Sequence, residues 1–215
     1  MKVKIFAIVP TKQFERAKSR LSSFLDIHDR VKLSGLLLES TLSALSKANT
    51  ISDIIVVSSD ARAKEIAKMY AAIFLDEGND IGVNNAVTMA NNYCDGTGAD
   101  ATIVVPQDLP LISSEDIDMF CSYAKEYPRC LVVCPSARYD GSNALLRRPP
   151  KLIESYYDNN SLQMHIYAAR IAGAVIKIIS SHRIMRDLDT FEDVEYLVNE
   201  PTTSKSVVYL RSKLH

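Results

Sequence analysis

The stretch "ATIVVPQDLPLISSEDIDMF", residues 101–120, combines a strand, a lone carboxylate and the start of a helix. The β-branched and apolar run at residues 102–105 is typical of a strand covered on both faces, and a proline ends it. Asp108 follows shortly after, and Ser113 with Asp116 three positions later indicates a capping box at a helix start. This order of elements predicts one unit of a parallel α/β sheet.

Similar apolar runs recur along the chain, and segments with helical spacing separate most of them. "DRVKLSGLLLESTLSALSKA" (29–48) has leucines at helical spacing, and "LDTFEDVEYLVNE" (188–200) offers Thr190 and Asp193 as a second cap. We therefore predict a three-layer α/β sandwich with a mostly parallel mixed sheet. The other strand-like runs are "VKIFAIV" (3–9), "DIIVVSS" (53–59), "AAIFLD" (71–76), "CLVVCPS" (130–136) and "VIKIIS" (175–180).

The length of 215 residues suits a single domain over 1–215. After the turn-like "NEPTTSKS", residues 200–215 are interpreted as a strand-like tail, "VVYLRSKL", that pairs with its own sheet edge or with a partner subunit. On that basis we expect a homodimer.

Composition excludes several classes of protein. A formal net charge of −1 argues against a nucleic-acid binder that relies on bulk electrostatics, and no apolar run reaches the roughly 20 residues of a membrane span. The four cysteines form no CxxC pair, which favours buried thiols over a zinc site. We expect a cytoplasmic protein with neither a nucleic-acid nor a membrane partner.

Acidic side chains follow two of the predicted strands. Ligands of open α/β sheets bind beyond the carboxyl ends of the strands, where Asp108 is expected. Asp187 and Asp189 come after "VIKIIS", and residues two apart in an extended segment project to the same side. Such carboxylates repel unless a cation lies between them, which predicts Mg²⁺. The alternatives are a turn aspartate at 108 and an aspartate at 189 that favours a helix dipole.

The loop after the first strand is rich in cations. "VPTKQFERAKSRLSSF" carries Lys12, Arg16, Lys18 and Arg20, which could neutralise the phosphates of a nucleotide and a leaving pyrophosphate. Neither GxxxxGK nor GxGxxG is present, and a solvated basic face is the alternative.

A small-residue turn precedes another strand-like run. In "PSARYDGSNALLRRPP", Gly141 is followed by Ser142 and Asn143, whose side chains could hold a polar or anionic acceptor. A plain hairpin turn explains the pattern equally well.

Together these segments resemble the 2-phospho-L-lactate guanylyltransferase family, which makes part of the deazaflavin coenzyme F420. The resemblance implies a fold like that of nucleotide-diphospho-sugar transferases. It also implies a reaction that joins GTP to 2-phospho-L-lactate, or in some members to phosphoenolpyruvate, and releases pyrophosphate. The matching motifs, in the family's order, are "VPTKQFERAKSRL" (9–21), "DIGVNNAV" (80–87), "PQDLPLI" (106–112), "DGSNALL" (140–146) and "RDLDTFEDV" (186–194).

The resemblance also implies roles for single residues on the nucleotide side. Three aspartates match the family's metal ligands, three cations match its triphosphate loop, and two residues match its segment near the nucleoside. Lys18 and the three aspartates are the expected catalytic residues. The sets are Asp108, Asp187 and Asp189 for the metal, Lys12, Lys18 and Arg20 for the triphosphate, and Gly82 and Asn84 for the nucleoside.

Acceptor contacts are expected from two further segments. Ser142 matches the family's threonine and is followed by Asn143, while Ser161 ends "YDNNS" (157–161), which matches a glycine-rich turn. Both glycines of that turn are replaced here, one of them by Asp158. His165 lies four residues after Ser161 and would share its helix face, where it either touches the acceptor or is an ordinary core or surface histidine.

The expected chemistry needs no general base, because a phosphate acceptor is already anionic. Two other functions remain open. One is a nucleotidyltransferase for a sugar phosphate, which would differ around residues 142–161. The other is a nucleotide-binding regulatory protein without turnover, which would have no need of Asp187 and Asp189.

Overall fold

The computed structural model describes residues 3–158 and 160–214, and these form a seven-stranded sheet. Its spatial order is β3-β2-β1-β4-β6-β5-β7. All neighbouring strands pair in parallel except at β6, which runs antiparallel to both β4 and β5. The strands are β1 (Ile5–Pro10), β2 (Ile51–Ser58), β3 (Ile73–Asp76), β4 (Ala101–Val104), β5 (Cys130–Pro135), β6 (Ser142–Arg148) and β7 (Val175–Ile178).

Helices cover both faces of this sheet. Along β1, Ile5 and Ala7 belong to a core cluster with residues of α1, α2 and α4, whereas Phe6 and Ile8 pack with residues of α3. This two-sided burial explains why the strand is apolar at every position, and it confirms the three-layer α/β sandwich. The helices are α1 (Ile27–Lys47), α2 (Ala61–Met69), α3 (Val83–Gly96), α4 (Ser114–Glu126), α5 (Ser161–Ile171), α6 (His182–Met185), α7 (Phe191–Val198) and α8 (Lys205–Arg211).

Both predicted capping boxes are present. Ser113 and Asp116 exchange side-chain and backbone hydrogen bonds at the start of α4, and Thr190 and Asp193 do the same at α7. The Asp193 carboxylate also accepts from the Asp189 N–H at 3.0 Å. This cap therefore fixes the backbone of one of the predicted site residues.

The strand predicted at the C-terminal tail is wrong, because residues 205–211 form helix α8. Val207 and Leu210 are three positions apart, so they share one helix face, and they are buried in a cluster with Leu33 and Leu37 of α1. The Tyr209 hydroxyl also donates to an Asp29 oxygen at 2.6 Å. The tail is thus packed onto its own chain.

Because β6 is antiparallel to β4, its first residues lie at the sheet edge where β1 and β4 have their last residues. Val104, the last residue of β4, pairs with Leu145, so the start of β6 at Ser142 reaches the edge where β1 and β4 end. Residues after β1 and β4 therefore meet the first residues of β6. Within the described residues, no helix has the length and hydropathy needed to cross a membrane.

Candidate active site

Lys18 is the central cation of this edge. Its backbone is left-handed (φ 54°), and its side chain is only 4% exposed. The Nζ atom donates to Asp108 Oδ2 at 2.9 Å and to Asp189 Oδ1 at 3.0 Å. Burial by itself would lower the pKa of Lys18, but the charges of Asp108 and Asp189 outweigh it and raise that pKa.

The segment that carries Asp187 and Asp189 is tied to the Asp108 loop through the backbone. The short helix α6 separates it from β7, and the Leu188 N–H donates to the Asp108 carbonyl at 3.0 Å. This bond holds the 187–189 segment beside the Asp108 loop, and helix α6, not a strand end, directly precedes that segment.

Asp187 and Asp189 experience opposite surroundings despite lying two residues apart. Burial raises the pKa of Asp187 to about 6, and the negative charges of Asp108 and Asp189 add to the effect. Burial also acts to raise the pKa of Asp189, but Lys18 and then Arg20 reverse the shift and lower it. No salt bridge in the described part of the chain involves Asp187, whose Oδ1 accepts from Asn143 Nδ2 at 3.1 Å.

The three aspartates do not form a ready metal-ligand set. Among the described residues, no group of three or more His, Cys, Asp or Glu side chains is arranged to hold an ion. Two of the three carboxylates, those of Asp108 and Asp189, are instead bridged by the Lys18 ammonium. The carboxylates nevertheless share one charged cluster, in which Asp187 has no salt-bridge partner among residues 3–158 and 160–214.

An open cleft of about 420 Å³ lies at this edge of the sheet and contains most of the residues predicted to bind the nucleotide. Lys12 and Arg20 line it with exposed side chains, and Arg20 Nη1 lies 3.7 Å from Asp189 Oδ2. Gly82 borders an adjoining small cleft that it shares with Lys12. At φ 106° Gly82 caps α3 in a conformation that side-chain-bearing residues rarely adopt.

Asn84 makes different contacts from those predicted. Its Oδ1 accepts from the Tyr157 N–H at 2.7 Å, and its Nδ2 donates to Asp158 Oδ2 at 2.9 Å. Both ends of the amide therefore hold Tyr157 and Asp158, two residues of the segment predicted to contact the acceptor, and the nucleoside role of Asn84 stays a prediction.

The acceptor side is buried and held by hydrogen bonds. The Ser142 N–H donates to Ser161 Oγ at 2.9 Å, and Ser142 Oγ lies 3.0 Å from His165 Nδ1. Asn143 Nδ2 donates both to Asp187 and to the Ile184 carbonyl. All three predicted acceptor residues are thus grouped, and His165 is a core histidine with 0% exposure.

Two residues near the acceptor side escaped the sequence-based prediction. Tyr157 lines the cleft, and its ring packs edge-on against His165 with ring centroids 4.9 Å apart. Arg147 is fully buried in β6 and donates to the Ile153 carbonyl at 3.1 Å. Its only signal was a cation at the end of an apolar run, where an exposed strand end is the ordinary interpretation.

Comparisons with known proteins identify the family and the fold of this chain. A family model described as "Guanylyl transferase CofC like" matches residues 5–214. The chain is 33% identical to a phosphoenolpyruvate guanylyltransferase of Rubrobacter xylanophilus, over 90% of this chain and 93% of the relative. It is 29% identical to a 2-phospho-L-lactate guanylyltransferase of Methanothermobacter thermautotrophicus, over 97% and 91% respectively.

Solved structures share the fold at lower identity. A nucleotide-diphospho-sugar transferase structure from Desulfovibrio desulfuricans superposes with a TM-score of 0.79 at 17% identity, covering 98% of this chain and 95% of that one. A CMP:2-keto-3-deoxy-manno-octonic acid synthetase superposes with a TM-score of 0.61 at 12% identity, over 90% and 96%. These likenesses confirm the predicted fold class. Since the family model spans almost the whole length, the chain belongs to the CofC-like guanylyl transferase family.

Proposed function

We propose that this protein transfers the guanylyl group of GTP to a small phosphorylated three-carbon acid, 2-phospho-L-lactate or phosphoenolpyruvate, in the synthesis of coenzyme F420. The observation that carries the proposal is the cluster of Lys18, Asp108, Asp187 and Asp189, which lines one cleft together with exposed cations and the Ser142 hydroxyl. Family membership and the names of the relatives support the same reaction.

The proposed reaction forms one bond and breaks one. An oxygen of the acceptor phosphate attacks the α-phosphorus of GTP, and the bond from that phosphorus to the bridging oxygen breaks, so that pyrophosphate leaves. The attacking oxygen is already ionised, so no side chain has to remove a proton. The main cost is to bring two polyanions together, and exposed Lys12 and Arg20 with buried Lys18 lower it by charge.

We propose Mg²⁺ as the cofactor, held by Asp108, Asp187 and Asp189. The fit rests on Asp187, which no salt bridge among the described residues neutralises; burial first, and then the charges of Asp108 and Asp189, raise its pKa to about 6. Carboxylate oxygens suit this hard cation, which when bound neutralises phosphate charge. Asp189 would be available as a ligand only if the Lys18 ammonium, which donates to its Oδ1, bound a phosphate oxygen instead.

The test is pyrophosphate release in a matrix of nucleotides and acceptors. We expect release with GTP plus 2-phospho-L-lactate or phosphoenolpyruvate, and none with a sugar 1-phosphate in place of the three-carbon acid. Release should stop when EDTA removes Mg²⁺ and return when Mg²⁺ is added in excess. Tight GTP binding without pyrophosphate release from any acceptor would instead identify a regulatory protein.

Assembly and location are further proposals. The homodimer was expected from a pairing tail, and that tail is α8 packed onto α1, so gel filtration of the intact chain has to test the dimer independently. All four cysteines are free and buried, which suits the reducing cytoplasm.

A further inference from the structure

His165 is a buried histidine that the proposed chemistry leaves without a role. It lies on α5 with 0% exposure, next to the rings of Tyr156 and Tyr157. Its two ring nitrogens each have one neighbour within hydrogen-bond distance. Nε2 is 3.0 Å from the Tyr156 backbone nitrogen, and Nδ1 is 3.0 Å from Ser142 Oγ.

These two contacts fix the tautomer of the ring. A backbone N–H can only donate, so His165 Nε2 must accept from Tyr156 and cannot itself carry a proton. A neutral imidazole then has its proton on Nδ1. Neutrality is favoured because burial, and after it the nearby Arg147 charge, lower the pKa of His165 to about 3.

The fixed tautomer determines what the Ser142 hydroxyl can do. With the proton on Nδ1, Ser142 Oγ accepts from His165, and its own O–H must donate elsewhere. Ser142 lines the cleft that also holds Asp187 and Tyr157, and the described residues offer this hydroxyl no other acceptor. The free O–H is therefore available to a ligand in that cleft.

Ser161 is arranged in the same way. Its Oγ accepts from the Ser142 backbone N–H at 2.9 Å, so its own proton is also free to donate. Ser142 is 7% exposed and Ser161 3%, which limits competition from water. Ser142 lines the cleft with Asp187, Ser161 lines the neighbouring opening beside Tyr157, and hydroxyl donors of this kind suit an anionic oxygen of an acceptor.

We propose that His165 is a positioning residue, which holds Ser142 as a hydrogen-bond donor toward an oxyanion of the acceptor and thereby sets acceptor affinity. This proposal rests on the proposed function for the identity of the acceptor. His165 itself touches no substrate in this scheme. It acts through one hydroxyl, and its effect falls on the acceptor and not on GTP.

Two substitutions separate this role from simple packing. In His165→Gln the amide oxygen can take the place of Nε2 and accept from Tyr156, but nothing replaces the Nδ1 donor. In His165→Asn the amide nitrogen can replace Nδ1 and donate to Ser142, while the Tyr156 contact is lost. If His165 only fills the core, the longer Gln should be tolerated better than Asn, whereas positioning predicts the reverse for acceptor affinity.

The kinetic experiment measures KM for phosphoenolpyruvate, 2-phospho-L-lactate and GTP with the whole chain. We expect His165→Gln to raise the acceptor KM about tenfold with GTP KM unchanged, and His165→Asn to stay within about threefold of the native chain. Ser142→Ala should raise the acceptor KM similarly, and His165→Gln should add nothing in that background. His28→Gln, at an exposed site on α1, is the matched control. The proposal would be overturned if His165→Gln left the acceptor KM unchanged. It would also be overturned if His165→Gln raised the acceptor KM by the same factor in the native chain and in the Ser142→Ala variant.

A measurement without turnover keeps this test separate from that of the proposed function. In the ¹⁵N-histidine NMR spectrum of the full chain, His165 should show a proton on Nδ1 and none on Nε2, with assignment from His165→Gln. The Nδ1 signal should shift in Ser142→Ala. A proton on Nε2 would overturn the positioning role even if guanylyl transfer is confirmed. Conversely, the expected tautomer in a protein that transfers nothing would count against the proposed function alone.

Discussion

The proposed nucleotide end and the proposed acceptor end of the cleft are built differently. At the nucleotide end, Lys12 and Arg20 extend exposed side chains, and the Arg20 side chain is 68% exposed. At the acceptor end, Ser142, Ser161 and His165 are buried and joined by hydrogen bonds. Exposed charges attract over several ångströms and tolerate movement, whereas buried hydrogen bonds demand one geometry. The nucleotide end is therefore suited to attraction and the acceptor end to selection.

The carboxylate cluster between the two ends should be the most sensitive position, because both substrates depend on it. We expect Asp108→Ala to lower turnover at least about a hundredfold, corresponding to ~3 kcal/mol of lost transition-state stabilisation, while the fold is retained. Pyrophosphate release and circular dichroism measure the two quantities. Asp95→Ala is the matched control, since the Asp95 side chain forms a surface salt bridge with Lys151 at 2.9 Å. Native turnover in Asp108→Ala would remove this residue from the site.

Lys18 and Lys12 lie in one loop, and comparing them tests whether the buried lysine contributes more to stability than the exposed one. Lys18→Met leaves Asp108 and Asp189 without their shared partner, so we expect the free energy of unfolding to fall by about 1–3 kcal/mol and turnover at least about tenfold. Lys12→Met should raise the GTP KM and leave stability unchanged, because Lys12 is exposed. Urea denaturation and steady-state kinetics compare the two variants. Equal stability losses would mean that burial does not distinguish them.

Substitution of Asp187 should abolish turnover and yet raise the free energy of unfolding. Its folded-state pKa of about 6 lies above the ordinary value near 3.8, so the folded protein binds this proton more tightly than the unfolded chain. The free energy of unfolding should therefore fall as pH rises from about 4 to about 6, and the penalty is complete above that range. Asp187→Asn removes it and should stabilise the metal-free protein at pH 7.5 by about 1–2 kcal/mol, allowing for partial solvent screening, while turnover is lost.

Urea denaturation at pH 4.5 and pH 7.5, without metal, checks the Asp187 prediction. The stabilisation by Asp187→Asn should be small at the lower pH, where the native carboxyl already carries its proton. A variant less stable than the native chain at pH 7.5 would contradict the assignment of uncompensated charge at this position.

Substitution of Asn84 should have the smallest effect. It distinguishes a role of this side chain in acceptor binding from a role in nucleoside binding. Asn84→Ala removes the two contacts to Tyr157 and Asp158, so we expect the acceptor KM to rise about threefold and the GTP KM to stay unchanged. The sequence-based assignment to the nucleoside predicts the opposite pattern. Separate KM measurements for the two substrates distinguish the two assignments.

Sequence reasoning recovered the features that depend on local pattern. Strands such as β1 were recognisable because burial on both faces demands apolar residues throughout. The place of Asp108 followed from the rule that parallel strands end at one edge, whereas the 187–189 segment reaches that edge only after helix α6. The C-terminal tail failed for a physical reason, since "VVYLRSKL" suits a strand or a helix, and only packing of Val207 and Leu210 against α1 decides.

The remaining features depend on contacts between distant residues. Lys18, which bridges Asp108 and Asp189, has a left-handed backbone that no pattern in the basic loop predicts. The Asn84 contacts join residues more than 70 positions apart, and the tautomer of His165 depends on a backbone N–H of Tyr156. Such side chains have several equally good partners until the fold is complete.

The reversed direction of β6 limits how acceptor choice can evolve or be engineered. Ser142 and Asn143 are the first residues of a strand bound on both sides, by β4 and by β5. An inserted or deleted residue within this strand would turn every later side chain to the opposite face, and buried Arg147 would be displaced with them. New substrates therefore have to be accommodated by exchanging side chains at fixed positions of this strand.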